Sequence, residues 1–226
     1  MTEFPHLLAP GAIGTMALRN RILMAPMGDS LANPDGTVSD AQLAYFEARA
    51  RGGASLLLIG SVAVAYPDGC VDQRQVGASA VAHEPGLREL AERVHAHGAR
   101  LAAQLTYNGA LARLDIARGR PMLVPAVPAR PHPDALSMML TDVELAGFAA
   151  PYASPTARVE YRVADDEDLA AVVARFADAA DRCRRAGLDG VELHAGHGYL
   201  VDEFLSPIAH GPWYSSIVVA QHDSPT

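Results

Sequence analysis

The chain has 226 residues, half of them apolar and 19% charged, enough to bury the core of one domain or two small ones. Its 18 basic residues stand against 26 acidic ones, a formal charge of -8, which argues against a broad phosphate-binding surface and against nucleic acid as a partner. Two cysteines, Cys70 and Cys183, lie far apart and exclude a disulfide framework or a C-x-x-C metal knuckle.

Every basic residue is Arg, so a lysine Schiff base and a P-loop lysine are excluded as well. The most apolar stretch, Ala54 to Tyr66, is broken by Gly60 and Ser61 and is too short to span a bilayer. The first residues carry neither a basic n-region nor an apolar h-region. A cytoplasmic globular protein with no membrane partner is expected.

Along the chain, short apolar runs alternate with helical patterns. Arg21 to Met27 reads as a strand ended by Pro26 and Gly28. Ser39 starts a helix, with Gln42 completing a capping box and Gly52-Gly53 closing it. Ala54 to Ser61 is a second strand. Glu84 to His97 is a helix with Leu87, Leu90, Ala91 and Val94 on one face, and Arg100 to Leu105 is a third strand.

Thr106 to Val163 then reads as a long irregular insertion holding seven of the 16 prolines. Asp165 to Ala186 is the clearest helix, with Leu169, Val172, Val173, Phe176, Ala180 and Cys183 at buried-stripe spacing, an acidic first turn and a basic last turn. Gly190 to His194 is a fourth strand, and Tyr199 to Leu205 a short helix stopped by Pro207. Strands apolar on both faces and separated by helices imply a parallel sheet. Four βα units without a glycine-rich dinucleotide fingerprint favour a (β/α)8 TIM barrel, here truncated after about four units, over a Rossmann fold.

In such folds chemistry belongs at the C-terminal strand ends. Pro26-Met27-Gly28, Gly60-Ser61, Gln104 and His194-Ala195-Gly196-His197-Gly198-Tyr199 stand there. Imidazoles donate hydrogen bonds to a carbonyl oxygen, and a phenol can deliver a proton. Spacing alone equally allows a helix-entry loop with chance histidines. It also allows a His-x-x-His metal site, although no adjacent carboxylate, Cys or third His completes a local set. Gln104 would suit a planar imide, or be satisfied by backbone. His95 and His97, at a helix end, receive no role.

Asn20 to Met27, Gln104, and Ala186 to Leu200 followed by Phe204-Leu205-Ser206-Pro207 together resemble the Old Yellow Enzyme family of FMN-dependent ene-reductases, in the flavour of its 2,4-dienoyl-CoA and 2-enoate reductase branch. The resemblance covers roughly residues 4 to 207 and implies a TIM barrel binding FMN, reduced by NADH or NADPH. It implies that Ala25, Pro26, Met27, Gly28 and Ser61 line the flavin and that Gln104 bonds its pyrimidine edge. It assigns His194 and His197 to the carbonyl oxygen of an enone or enoyl-thioester substrate, and Tyr199 to protonation of the α-carbon.

Departures are Gly28, where relatives carry Thr or Cys, Glu203 in place of Gln, and everything after Pro207. Residues 1–207 are thus read as the N-terminal half of the barrel, including the 106–163 insertion. Residues 208–226, with the single Trp and no Arg, read as the divergent tail of a truncated or frame-shifted product. Two alternatives accompany this reading. One is a non-catalytic half-barrel that persists only by association, either with itself through open sheet edges or with a complementary fragment. The other is a metal-dependent hydrolase using His194 and His197.

Overall fold

The computed structural model describes residues 4–128, 146 and 153–206. The 208–226 tail, the Pro207 stop and the middle of the Pro-rich insertion lie outside the described residues. By contact density the chain forms two discontinuous compact units.

The first unit comprises Met1–Pro67, Asp72–Thr106 and Ala171–His194. It opens with a short helix, α1 (Pro5–Leu8), and an antiparallel hairpin of β1 (Gly11–Ile13) and β2 (Met16–Leu18). Next come β3 (Leu23–Met24), α2 (Asp40–Arg51), β4 (Leu56–Ala63), α3 (Glu84–Ala96) and β5 (Arg100–Thr106). The second unit contributes α4 (Arg113–Ala117), β6 (Met122–Val124) and β7 (Tyr161–Val163). The chain then forms α5 (Asp166–Arg185), β8 (Gly190–Leu193) and α6 (Leu200–Leu205).

β3, β4, β5 and β8 form one parallel sheet in that order, as expected for successive right-handed βα units. Leu57, Ile59, Leu101, Ala103 and Leu105 alternate onto one face and are fully buried, as are Phe46, Leu87, Leu90 and Val94 from α2 and α3. On the opposite face Leu56 and Ala102 pack with Leu18 of the hairpin, and Met16 adds to the cluster. The sequence reading did not foresee this hairpin, because its strands are three residues each and too short for a periodic signal.

Polar pins fix the ends of the strands. Arg19 donates to the carbonyl of Ala50 at 2.7 Å and of Ala54 at 2.8 Å, and also to that of His97, placing a cation where two helices leave their last carbonyls. Asp189, ahead of β8, accepts from His95 at 2.6 Å, from Arg100 at 2.9 Å and from the Leu101 N–H at 2.9 Å. His95 therefore acts in this pin, and His97 lies 3.3 Å from Glu47.

Several expected elements are adjusted. The strand read from Arg21 to Met27 shrinks to Leu23–Met24, because the Asn20 side chain takes the Ile22 N–H at 3.0 Å and Pro26 has none to give. Ser39 does cap α2, accepting the Gln42 N–H at 3.1 Å. The Gln42 side chain, however, donates to Asp29 at 3.0 Å, so the reciprocal half of the box is replaced by a tertiary bond. On α5, Val172, Ala179 and Cys183 are buried whereas Val173 is 68% exposed, so the stripe is narrower than its spacing suggests. β8 is not apolar and buried on both faces: Val191 is 43% and Leu193 60% exposed, and among the described residues no strand pairs with its outer edge.

The second unit comprises Asp68–Val71, Tyr107–Ala170 and Ala195–Thr226. The described ends of the 106–163 segment are not structureless. β6 and β7 pair in parallel, and Ala112, Ile116 and Met122 form a small core with Ala157 and Tyr161. Buried Asp115 accepts the Gly69 N–H at 2.8 Å and pairs with Arg120, which also reaches Asp68. Three-residue strands separated by a proline-rich stretch give little local signal, so pairing here is set by the small core.

Candidate active site

The polar residues at the C-terminal ends of the parallel strands fall into a group in each unit. In the first, the chain leaves β3 as Ala25-Pro26-Met27-Gly28, with Ala25, Met27 and Gly28 exposed and Pro26 half-buried. Beside it β4 bulges between Ile59 and Val62, at Gly60-Ser61. Only glycine fits at position 60, since a Cβ there would lie 2.2 Å from the Met27 carbonyl carbon and oxygen. Ser61 sits in the left-handed region at φ +54°, and its Oγ lies 3.9 Å from where a Gly28 Cβ would be. A non-glycine residue held there costs backbone energy.

Gln104, only 8% exposed, points from β5 beside them. Its Nε2 donates to Glu192 Oε1 at 2.7 Å, and its Oε1 faces the Ser61 N–H at 3.5 Å, the outer limit of a hydrogen bond. The β5–β8 register pairs Gln104 with Glu192, and strand alternation puts Glu192 and His194 on the same face. His194 is buried, its N–H donating to the Leu105 carbonyl at 2.9 Å. Glu192 is the site neighbour that sequence reasoning missed. The signal was available in its position two residues before His194.

The second group follows directly. His197 is in the left-handed region at φ +61°, and its ring stands edge-on to Tyr199 with centroids 6.3 Å apart. Tyr199 is the N-cap of α6, half-buried, and uses no side-chain cap bond. The Gly198 N–H donates to Asp202 at 2.7 Å, which steadies the turn. Glu203 is 7% exposed, accepts the Ala110 N–H at 2.8 Å, and is pushed up by burial to about 7. Thus Ala25, Pro26, Met27, Gly28, Ser61, Gln104 and His194 belong to one unit, and His197 with Tyr199 to the other. Among the described residues no group of three or more His, Cys, Asp or Glu is placed to hold a metal ion.

The first group fits a flat, hydrogen-bonding heterocycle. The Met27 backbone passes closely over Gly60, Gly28 carries no side chain, and the Gln104 amide presents a donor and an acceptor at one edge. A parallel α/β sheet with polar residues gathered at its C-terminal strand ends places the candidate site where parallel α/β folds carry their chemistry. The chain belongs to the NADH:flavin oxidoreductase / NADH oxidase family, whose profile matches residues 6–211.

Among its relatives, the NADH oxidase of Thermoanaerobacter brockii is 35% identical over 207 residues, covering 92% of this chain and 28% of that protein. The NADPH dehydrogenase of Halalkalibacterium halodurans is 31% identical, over 86% of this chain and 49% of its own length. The structure of the Old Yellow Enzyme from Trypanosoma cruzi superposes with a TM-score of 0.74 at 28% identity, covering 92% of this chain and 55% of that one. The chain therefore spans between about a quarter and about half of the proteins it matches, and within that span its fold is that of part of the barrel.

Proposed function

We propose that the chain carries the first half of an FMN-dependent oxidoreductase that passes hydride from NADH or NADPH to the activated C=C of an α,β-unsaturated carbonyl or enoyl thioester. The observation that supports it best is the cradle of Ala25 to Gly28, Gly60, Ser61 and Gln104, open to a planar ring and edged by an amide. Bound there, FMN would supply the hydride, taken from the nicotinamide and given to the β-carbon.

The residues of the chain do the rest. Ala25, Pro26, Met27, Gly28 and Ser61 would line the ring, and Gln104, which donates to Glu192, would hydrogen-bond its pyrimidine edge. His194 and His197 donate hydrogen bonds to the substrate carbonyl oxygen and draw electrons away from the alkene. The Tyr199 hydroxyl gives its proton to the α-carbon as the β-carbon gains hydride, and water reprotonates it. Purified chain with flavin absorbance that denaturation releases as FMN supports this reading; chain that stays colourless with excess FMN refutes it.

A second reading rests on the sheet edges. The outer edges of β3 and β8 are unpaired among the described residues, with Leu23 45% and Leu193 60% exposed. Two copies of the chain, β8 of each against β3 of the other, would complete eight strands. Sedimentation of colourless dimers favours this reading, and colourless monomers exclude it.

A further inference from the structure

Glu203 is a carboxyl group in an enclosure where no cation among the described residues meets it. Its Oε1 accepts the Ala110 N–H at 2.8 Å, whereas Oε2 is fully enclosed and has no hydrogen-bond partner. Gly109, at φ +56°, packs so closely that a Cβ there would stand 2.5 Å from Oε2. Among the described elements, those packed most closely on α6 are the turn Gly109–Leu111 and β6, and neither contains an ionisable residue. Among the described residues the charged group acting on it is Asp202 of its own helix, which repels a second negative charge.

The same carboxyl lies at a junction. The Glu203 N–H donates to the Tyr199 carbonyl at 2.8 Å, and the Leu200 N–H to the Tyr107 carbonyl at 3.0 Å. The helix that begins at Tyr199 is therefore fastened to the chain after β5 at two points, Leu200 to Tyr107 and Glu203 to Ala110.

We infer that Glu203 is a positioning residue that works as a neutral carboxylic acid, clamping the Gly109–Ala110 turn to the helix that starts at Tyr199 and releasing it on ionisation. A proton on Oε2 removes a charge that the enclosure cannot solvate; once the proton is lost, water must reach Oε2, and the turn has to open. The effect on Tyr199 rests on the function proposed above, but the clamp itself does not.

Burial raises Glu203 from an ordinary 4.5 to about 7, so the folded chain holds more protons than the unfolded chain between those values. The stability it confers is full below about 4.5 and is lost as pH rises through 7, by on the order of 10²-fold in the folding constant. The test compares the parent chain with Glu203→Gln, which keeps the shape and the acceptor for Ala110 but cannot ionise. Thermal unfolding and amide exchange at Ala110 are followed from pH 5.5 to 8.5. The parent should lose stability, and Ala110 at least ten-fold protection, across this range, while Glu203→Gln stays flat in both. A variant that keeps the parent's profile overturns the inference. Should the variant not fold, carbon NMR of the parent's Glu203 carboxyl decides: a midpoint near 7 supports the clamp and one near 4.5 overturns it. Flavin uptake, measured separately, reports on the proposed function alone.

Discussion

Replacing Gly60 by alanine tests whether the close approach of the β3 exit to β4 shapes the site. The added Cβ would lie 2.2 Å from the Met27 carbonyl carbon and oxygen and 2.4 Å from its nitrogen. Carbon atoms in contact rest about 3.5 Å apart, so the Met27 peptide must retreat by roughly 1.3 Å. No flexible side chain can absorb this, since the obstructing atoms are backbone. β3, two residues long and, among the described residues, paired only to β4, is the segment that yields. Overpacking of this kind costs about 1–3 kcal/mol, a fall in Tm of roughly 2–12 °C for a domain of this size. A binding site tolerates displacements of about 0.5 Å, so FMN affinity should drop at least ~10-fold. Calorimetry and flavin fluorescence titration read the two effects. Gly190→Ala serves as control, because a Cβ there meets only the Met16 methyl at 3.5 Å and Ala102 at 4.0 Å. A Gly60→Ala chain with unchanged Tm and unchanged flavin affinity would refute the reasoning.

Other expectations follow from single groups. Tyr199→Phe, in a preparation that turns over, should slow alkene reduction by roughly 10²–10⁴ while flavin reduction by NAD(P)H keeps its rate in stopped flow. Equal loss in both half-reactions would remove Tyr199 from the proton-donor role. Asp189→Ala strips the acceptor shared by Arg100, His95 and the Leu101 N–H, and should cost about 2–3 kcal/mol in urea denaturation. A change within error would mean that the pin contributes nothing. Cys70 and Cys183 are both buried, which pushes both thiols up, Cys183 to about 12. Neither should react with a disulfide reagent at pH 8 until the chain is unfolded, and a thiol that titrates in the native state contradicts this burial.

The parallel sheet and its helices were legible because each carries a signal within ten or twenty residues. Leu87, Leu90, Ala91 and Val94 mark one helical face, and Leu101, Ala103 and Leu105 alternate along a strand. The chemistry-bearing types at the strand ends, from Met27 and Ser61 to Gln104, His194 and Tyr199, were likewise readable from position alone. What was not legible depends on partners distant in the chain. The Met16 and Leu18 hairpin exists because it covers Leu56 and Ala102, and Gln42 abandons its own cap for Asp29. Gly60 is required only because Met27 passes beside it.

The sequence by itself determined the alternation of strands and helices, the parallel topology and the residue types at the strand ends, since periodicity and turn chemistry are local properties. Only the tertiary structure decided that Glu192 braces Gln104, that Val191 and Leu193 of β8 are exposed, and that Glu203 is enclosed with no counter-charge among the described residues. Each of these is fixed by what lies opposite in space, where burial and dielectric, rather than spacing along the chain, set the energy.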